Sequence, residues 1–560
     1  MSIPESTFNK LTASIDWSQS QLSFARAQRV SAIKQFAGSH YAEGGAQLNV
    51  PVSVLKLAVD IYVRTLAPRM PRVLVTTVDR SMKPAAAKLE LALNLIPDEI
   101  KLSDTLRRVV TEALFAFGIV KIGLHTTGEM LGHNYGEPFV DSIDLDDYFI
   151  DMTAKHLDLI QYEGNDYYPT LEEVMESDRF KKGKTNGLDD EADSNMNELG
   201  EARAGSITSD SAAEEYKKRI KLRDVWVPGE GLLHTYAVKS KRLLGTIEWE
   251  GPERGMYRKL GFSNVPGNLL PLPPVSMWRD LHELSNTLFR KLGRQADGQK
   301  SCLGFQGNNE DEITAFKAAR DGDGILYKGP KPEKLEVGGV STNTLAFYQV
   351  CRELSSYFSG NLDALGGLAP MTETVGQDKL LTESASAQMR DMSGRTVDFV
   401  RDVFKDLAFY EWNDPVKSRT LERPIPGMPG VKMPVVWDKS SRTGDFDSLD
   451  LDIDVYSLQD DSPGLKLQRL GFIMQTYIGP LMPEIQRQGG QVDAKGIIEI
   501  VTKLADFPEL ANIVTFVESD TQSGAAPGAP PTPGAGGGQG PVSAPVRSVP
   551  PSQQIQMEEE

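Results

Sequence analysis

Only two cysteines occur in 560 residues, Cys302 and Cys351, so a disulfide framework is excluded and a reducing cytoplasm is the expected setting. Histidine is almost as sparse. The six are scattered, and none stands in zinc-ligand spacing with another histidine or cysteine. Long apolar runs are missing too: the longest, such as "ALFAFGIV", stop at about eight residues, against the roughly 20 a bilayer span needs. The opening "MSIPESTFNK" has no basic stretch followed by an apolar run, so no secretory signal is expected. Excess positive charge is also absent, since formal net charge is −18. Tight, sequence-blind nucleic-acid binding rests on a basic surface, which argues against it for the chain as a whole. An acidic wall would still let a duplex pass without sticking.

Familiar catalytic arrangements are lacking as well. "FKKGKTNG" holds Gly183-Lys184-Thr185, the end of a phosphate-binding loop, but Asp178 stands where that loop requires glycine and no strand leads into it. No G-x-S-x-G elbow occurs. Two acidic clusters remain: Asp141, Asp144, Asp146, Asp147 and Asp151, and the alternating Asp450, Asp452 and Asp454. Such carboxylates suit Mg²⁺ or Ca²⁺, whose hard charge wants oxygen ligands, but equally a solvated strand edge. Neither matches the calcium-loop pattern. No metal or cofactor is therefore expected.

What is present is ordinary globular material, 40% hydrophobic and 25% charged, enough for a sizeable core in two to four packed units. Residues from about 20 to 120 read mainly helical, with Val54, Leu57, Ile61 and Leu66 at near-helical spacing and a break near Pro97, after which Ser103 or Asp104 caps a further helix. "GIVKIGLHTT" reads as a strand. Residues 176 to about 218 read as a mobile surface insertion, and "LRDVWVP", "LLHTYAVK" and "LLGTIEWE" as short strands. A helix capped by Ser276 then carries the stripe Met277, Leu281, Leu284, Leu288 and Leu292, with basic Arg290, Lys291 and Arg294 towards its end. A compact insert over about 300–341 pairs strands "SCLGFQ" and "ILYKG" around a short helix. Asn343 or Thr344 opens another helix with Phe347, Val350, Leu354 and Phe358 on one face and a stop at Gly360. The soft stretch "DALGGLAPMTETVGQDK" follows, then a helical pattern of over thirty residues with Val397, Val400, Phe404 and Leu407 as its stripe and Gly394 as a candidate bend. "KMPVVW" and "LDLDIDVYSL" read as strands, "GLKLQRLGFIMQTYI" and "DAKGIIEIVTKLAD" as helices. From about 519 the chain is Gly, Pro, Ala and Ser and cannot fold.

This order of elements resembles the portal protein (head-to-tail connector) of tailed bacteriophages, over perhaps residues 20 to 515. The likeness rests on three stretches. "VDSIDLDDYFIDMTAKHLDLIQYEGNDYYPTLEEV" has a turn, an aromatic-plus-Asp strand and a T-x-x-E helix start, although the family's common Asp-Pro is here Asp151-Met152. "PPVSMWRDLHELSNTLFRKLGRQADGQ" looks like the helix entering a stem, and "TLAFYQVCRELSSYFSGNLDALGG" like the returning one.

The resemblance implies an α+β portal fold with wing, two-helix stem, small α/β clip and helical crown, assembled as a ring, usually of twelve copies. Its expected parts are an N-terminal arm (1–19), a wing (20–274), stem helices at 275–299 and 342–360, a clip (300–341), a tunnel loop (361–379), a long wing helix with β return (380–459), a crown (460–518) and a disordered tail (519–560). It implies a structural, non-enzymatic role at one capsid vertex of the virion, after assembly in the host cytoplasm. The implied partners are further copies of itself, double-stranded DNA in the channel, the terminase large subunit, the major capsid and scaffolding proteins, and head–tail adaptor or tail proteins, with no membrane. By the same mapping Gly366, Gly367, Met371, Thr372, Thr374, Gln377 and Lys379 belong to the DNA-facing loop, Arg290, Lys291 and Arg294 to a basic group in the channel, and Lys317, Arg320, Lys328, Lys331 and Lys334 to the docking clip. Leu281, Leu284, Leu288 and Phe358 are subunit-interface candidates. Two other readings stay open: a metal-dependent nucleic-acid enzyme using Asp141 to Asp151, and a non-viral helical scaffold.

Overall fold

Helix α1 (Glu5–Ala37) starts well before the helical region expected from about residue 20 and takes up most of the supposed arm. Its inward residues Phe8, Ile15 and Leu22 recur every seven positions, with polar Thr12, Ser18 and Arg29 buried among them, so its apolar stripe is thin in the sequence. The computed structural model describes residues 3–38, 52–67, 71–125, 136–177, 179–180, 187–188, 193–195, 214–306, 310–325, 331–360, 375–424 and 432–453, with Thr185 and isolated positions between 471 and 487. Residues through Ser462 make one compact unit of mixed α+β structure, and Pro463 onward a second. The helices expected in the crown lie outside the described residues apart from those isolated positions, and the expected tail lies outside them entirely.

Helix α2 (Val54–Leu66) buries Leu55, Ala58, Val59, Tyr62 and Val63, while Leu57, placed in the expected stripe, is 50% exposed. The buried face sits one position along because Tyr62 and Ala58 take it. Strand β1 (Val73–Thr77) follows, then α3 (Lys83–Leu93), the single turn α4 (Ile96–Glu99) and α5 (Leu102–Phe115). Pro97 lies inside α4, near its start, where its missing N–H costs nothing. Neither Ser103 nor Asp104 caps α5: the cap position is Lys101, left-handed at φ 51, and both expected caps lie in the first turn.

Strands β2 (Gly118–Leu124) and β3 (Pro138–Ile143) form a three-stranded antiparallel sheet with β11 (Tyr257–Leu260), in the order β11-β2-β3. A five-stranded sheet, ordered β10-β9-β8-β5-β4, contains β4 (Tyr148–Ile150), β5 (Glu163–Tyr167), β8 (Leu222–Val227), β9 (Leu232–Ala237) and β10 (Arg242–Glu248). Between the two sheets runs an ionic seam. Lys121 Nζ donates to Asp224 at 3.0 Å and to Asn165 at 3.1 Å, and Lys259 Nζ meets Glu163 at 2.5 Å. Burial opposes the charge on Asp224, yet Lys121 and Arg179 hold its pKa down to about 2. After β5, Thr170 and Glu173 close a reciprocal capping box that starts α6 (Leu171–Glu176), as the T-x-x-E pattern requires.

The expected surface insertion is partly packed. Phe180 and Leu188 are buried with Ile220, Leu222 and Leu244, and β6 (Asp193–Asn195) pairs with β7 (Glu214–Arg219). Gly183 and Lys184 lie outside the described residues.

Then come α7 (Pro274–Asp297), β12 (Lys300–Gly304), α8 (Glu310–Ala318), β13 (Glu333–Val337) and α9 (Thr342–Phe358). Helix α10 (Val375–Asn413) spans 39 residues, passes Gly394 without interruption and buries Val397, Val400, Phe404 and Leu407 as its stripe predicts. Strands β14 (Arg419–Pro424), β15 (Lys432–Trp437) and β16 (Leu449–Ile453) complete the unit. β16 returns to pair with β1, Val73 opposite Ile453. Its Leu449, Leu451 and Ile453 point into the core and Asp450 and Asp452 out, the alternation expected; Asp454 is outside the described residues. The main core gathers α2, α3, α5 and α10 around that two-stranded ribbon.

Candidate interface: the two-helix arm and its tip

Helix α7 begins in a run of prolines. Pro273 precedes it and Pro274 opens it, so the turn is fixed before any hydrogen bond is needed. Ser276, the expected cap, lies inside the first turn and donates to the Pro273 carbonyl at 2.6 Å. The buried face of α7 is Val275, Trp278, His282, Ser285, Leu288 and Leu292, which differs from the expected stripe: Met277 is 42% and Leu284 38% exposed. Polar His282, Ser285 and Asn286 take the inner positions, with Asn286 bonding the backbone N–H of Val52 at 2.8 Å.

Three contacts fasten the base of the arm. Trp278 Nε1 donates to the Phe358 carbonyl at 3.2 Å, Tyr62 Oη donates to the Ser359 carbonyl at 3.0 Å, and the Tyr62 and Trp278 rings lie 5.1 Å apart. Farther out, the Phe289 and Tyr348 rings are 5.9 Å apart, and Gln295 accepts from Ser341 N–H at 3.1 Å. Helix α9 starts after Ser341, two residues before the expected opening, and stops at Gly360, whose φ of 79 suits glycine. At the neck of the arm Gly338 has φ 82, and a side chain there would meet the Gly298 carbonyl at 2.6 Å, so the two strands leave the helices through a gap only glycine fills.

The tip is β12 paired antiparallel with β13, Lys300 opposite Val337, with α8 between them in sequence. The strand expected at "ILYKG" falls almost wholly outside the described residues, and the partner of β12 is the later, charge-rich "EKLEV". None of the tip's described residues is buried. One edge-on contact between Phe305 and Phe316 ties α8 to the strand end, at 5.6 Å between centroids. Leu303, Leu335 and Val337 are all close to half exposed or more. An element this small, with none of its described residues buried, has little apolar burial of its own to hold it.

Helix α9 makes the same point more strongly. Over 17 residues it buries only Cys351 and Ser355, while Leu345, Phe347, Val350, Leu354, Tyr357 and Phe358 stand 41–66% exposed. Four of these, Phe347, Val350, Leu354 and Phe358, are the residues expected to share one face. Arg352 and Glu353 are its only charged residues, so this exposed face lacks the charge usual on a solvated one. Of the interface candidates, Leu284 and Phe358 are exposed, Leu281 is half-buried, and Leu288 is buried by its own chain.

The three cations towards the end of α7 divide. Lys291 and Arg294 are exposed and share a ridge with Met277, Asp280, Leu284 and Thr287, three or four residues apart, whereas Arg290 is turned partly inward. In the tip, Lys317, Arg320, Lys331 and Lys334 are exposed and Lys328 is outside the described residues. Lys334 pairs with Glu336 at 2.6 Å. Residues 300–340 carry six cations and seven carboxylates, so the tip offers mixed rather than basic charge. Gly366, Gly367, Met371, Thr372 and Thr374 lie outside the described residues. Gln377 and Lys379 fall within the first turns of α10, not in a loop.

The Asp141–Asp151 carboxylates are already engaged in several places. Asp151 is buried and accepts from Thr153 and from Gln161 N–H. Asp146 accepts from Arg29 at 3.0 Å, the same guanidinium that forks onto Glu112 at 2.9 Å. Asp144 and Asp147 line an open cleft of about 810 Å³ beside Arg107, Arg108 and Tyr168. Among the described residues no group of three or more His, Cys, Asp or Glu side chains is arranged to hold a metal ion.

Sequence reasoning missed the Glu411 cluster, in which Glu411 at the end of α10 accepts from Lys417, Arg419 and Trp437 Nε1. It also missed the buried pair of Arg258 and Asp406, 2.6 Å apart, which joins β11 to α10. Arg258 and Asp406 lie 148 residues apart and Trp437 lies 26 from Glu411, while Lys417 and Arg419, six and eight residues on, follow no helix or strand period. No family model matches the chain, and no curated protein matches it.

Proposed function

We propose that this chain is a portal-type subunit, which assembles side by side with copies of itself into a ring whose central hole passes double-stranded DNA. The observation that carries the reading is α9, a helix that folds back along α7 yet leaves six large apolar side chains uncovered. A face of that kind, on an arm whose tip buries none of its described residues, suits a subunit that is completed by its neighbours. The order of elements agrees: a mixed body, an outgoing helix, a small strand-and-helix tip, a returning helix, and a long helix back into the body.

In this reading the tip is the docking point for the terminase and later for tail components, and its mixed charge favours complementary pairing over simple attraction to DNA. Lys291 and Arg294 lie on the exposed ridge of α7, where they supply local attraction within an otherwise acidic ring. Segment 361–374 occupies the chain position between the arm and α10 that serves as the DNA-facing loop in such rings. Negative-stain microscopy of the purified chain tests the reading. Rings with a central hole support it, and a chain that stays monomeric across concentrations overturns it.

A further inference from the structure

A ring needs two different faces on each subunit, because a patch that pairs with its own copy closes a dimer and stops. The uncovered face of α9 supplies one. The other must also be poor in charge, since copies that each carry −18 repel wherever charged surfaces meet.

Helix α1 holds such a face. Its outward ridge runs through Ala13, Trp17, Gln21, Phe24 and Gln28, three or four residues apart, and no position on it is charged. Trp17 is 47% exposed and Phe24 72% exposed. The cations of the same stretch turn away: Arg26 bonds the carbonyls of Leu145 and Tyr148, and Arg29 is buried against Glu112 and Asp146. Asp16, beside the ridge, is neutralised by Lys241 at 2.8 Å. The ridge also continues onto the arm, because Gln28 accepts from Arg279 of α7, within a turn of the exposed Met277.

We infer that the α1 ridge at Trp17 and Phe24, with Met277 at the near end of α7, receives the α9 face of a second copy of this chain, head to tail. The inference rests on the ring reading above. Its size is adequate. A fully exposed large side chain presents about 150–200 Å², so the five that share the α9 face, Phe347, Val350, Leu354, Tyr357 and Phe358, each about half exposed, give about 450 Å². With the small polar residues between them this approaches the roughly 800 Å² per partner of a stable interface.

Cross-linking tests it in the full-length chain with Cys302→Ser as background. Phe24→Cys or Trp17→Cys is combined in one chain with Val350→Cys or Tyr357→Cys, oxidised, and run without reductant. Head-to-tail contact gives a ladder that climbs past the dimer, and each single cysteine alone gives none. A double variant, Trp17→Glu with Phe24→Glu, should lower the ring fraction at least tenfold while the monomer melts at the wild-type temperature. Rings in the microscope with no ladder from any pair, and undiminished in the double-glutamate variant, would overturn this seam while leaving the ring intact. A wild-type chain that never forms rings would remove both.

Discussion

Asp406 offers the sharpest test of how α10 is held to the body. It is 4% exposed, one of its oxygens meets Arg258 at 2.6 Å, and the other has no hydrogen-bond partner. Burial therefore outweighs the guanidinium, and Asp402 one turn earlier adds like charge, so the carboxyl is pushed up to about 6. Arg254 and Tyr410 are the other titratable groups acting at this pair. The folded state thus binds a proton more readily than the unfolded chain, where Asp titrates near 3.9. Asp406 contributes stability that is fully present below about pH 4 and is lost as pH rises through about 6. Two pKa steps correspond to about 3 kcal/mol. Asp406→Asn removes the titration and keeps the shape. Denaturant unfolding of both proteins from pH 4 to pH 7 gives the assay, and the difference in stability between them should change by about 3 kcal/mol across that window. A difference that stays flat with pH would refute the account of this carboxyl.

Glu411 predicts the opposite sign. Burial raises its pKa, but Arg419 and Lys417 more than reverse this and hold it below the usual range, so its contribution is present at neutral pH and is lost on acidification below about 4.5. Glu411→Ala should cost about 3 kcal/mol at pH 7 in chemical unfolding, because it strands Lys417 and the Trp437 N–H and leaves Arg419 with Glu99 alone. Val350→Glu or Leu354→Glu on α9 should leave the monomer's melting temperature unchanged and abolish assembly in mass photometry, since a carboxylate buried without a partner costs several kcal/mol. Lys291→Ala with Arg294→Ala should leave rings intact and lower the DNA retained in particles, read by nuclease-protected DNA per capsid; unchanged DNA would remove the channel role of this pair.

Parts of the fold were legible because their signals are local. The stop at Gly360, the Thr170–Glu173 box and the alternating Leu451 and Ile453 each depend on residues a few positions apart. β1 and β14 were not legible. β1 pairs with β16 more than 370 residues away, and β14 is half charged, so neither shows a period that points to its partner. The stripes of α7 and α9 show in the sequence as apolar positions three or four apart, while what covers them does not. Periodicity reports that a face is apolar and is silent on whether the same chain or another one buries it. That ambiguity falls on Leu284, Val350, Leu354 and Phe358, which the fold leaves open to solvent.

Particle images of the purified full-length chain, with mass photometry on the same sample, measure the central claim most directly. The account predicts closed rings of uniform copy number, each with a central hole wide enough for a duplex. A single monomer peak at every concentration, or a species that stops at the dimer, would contradict it.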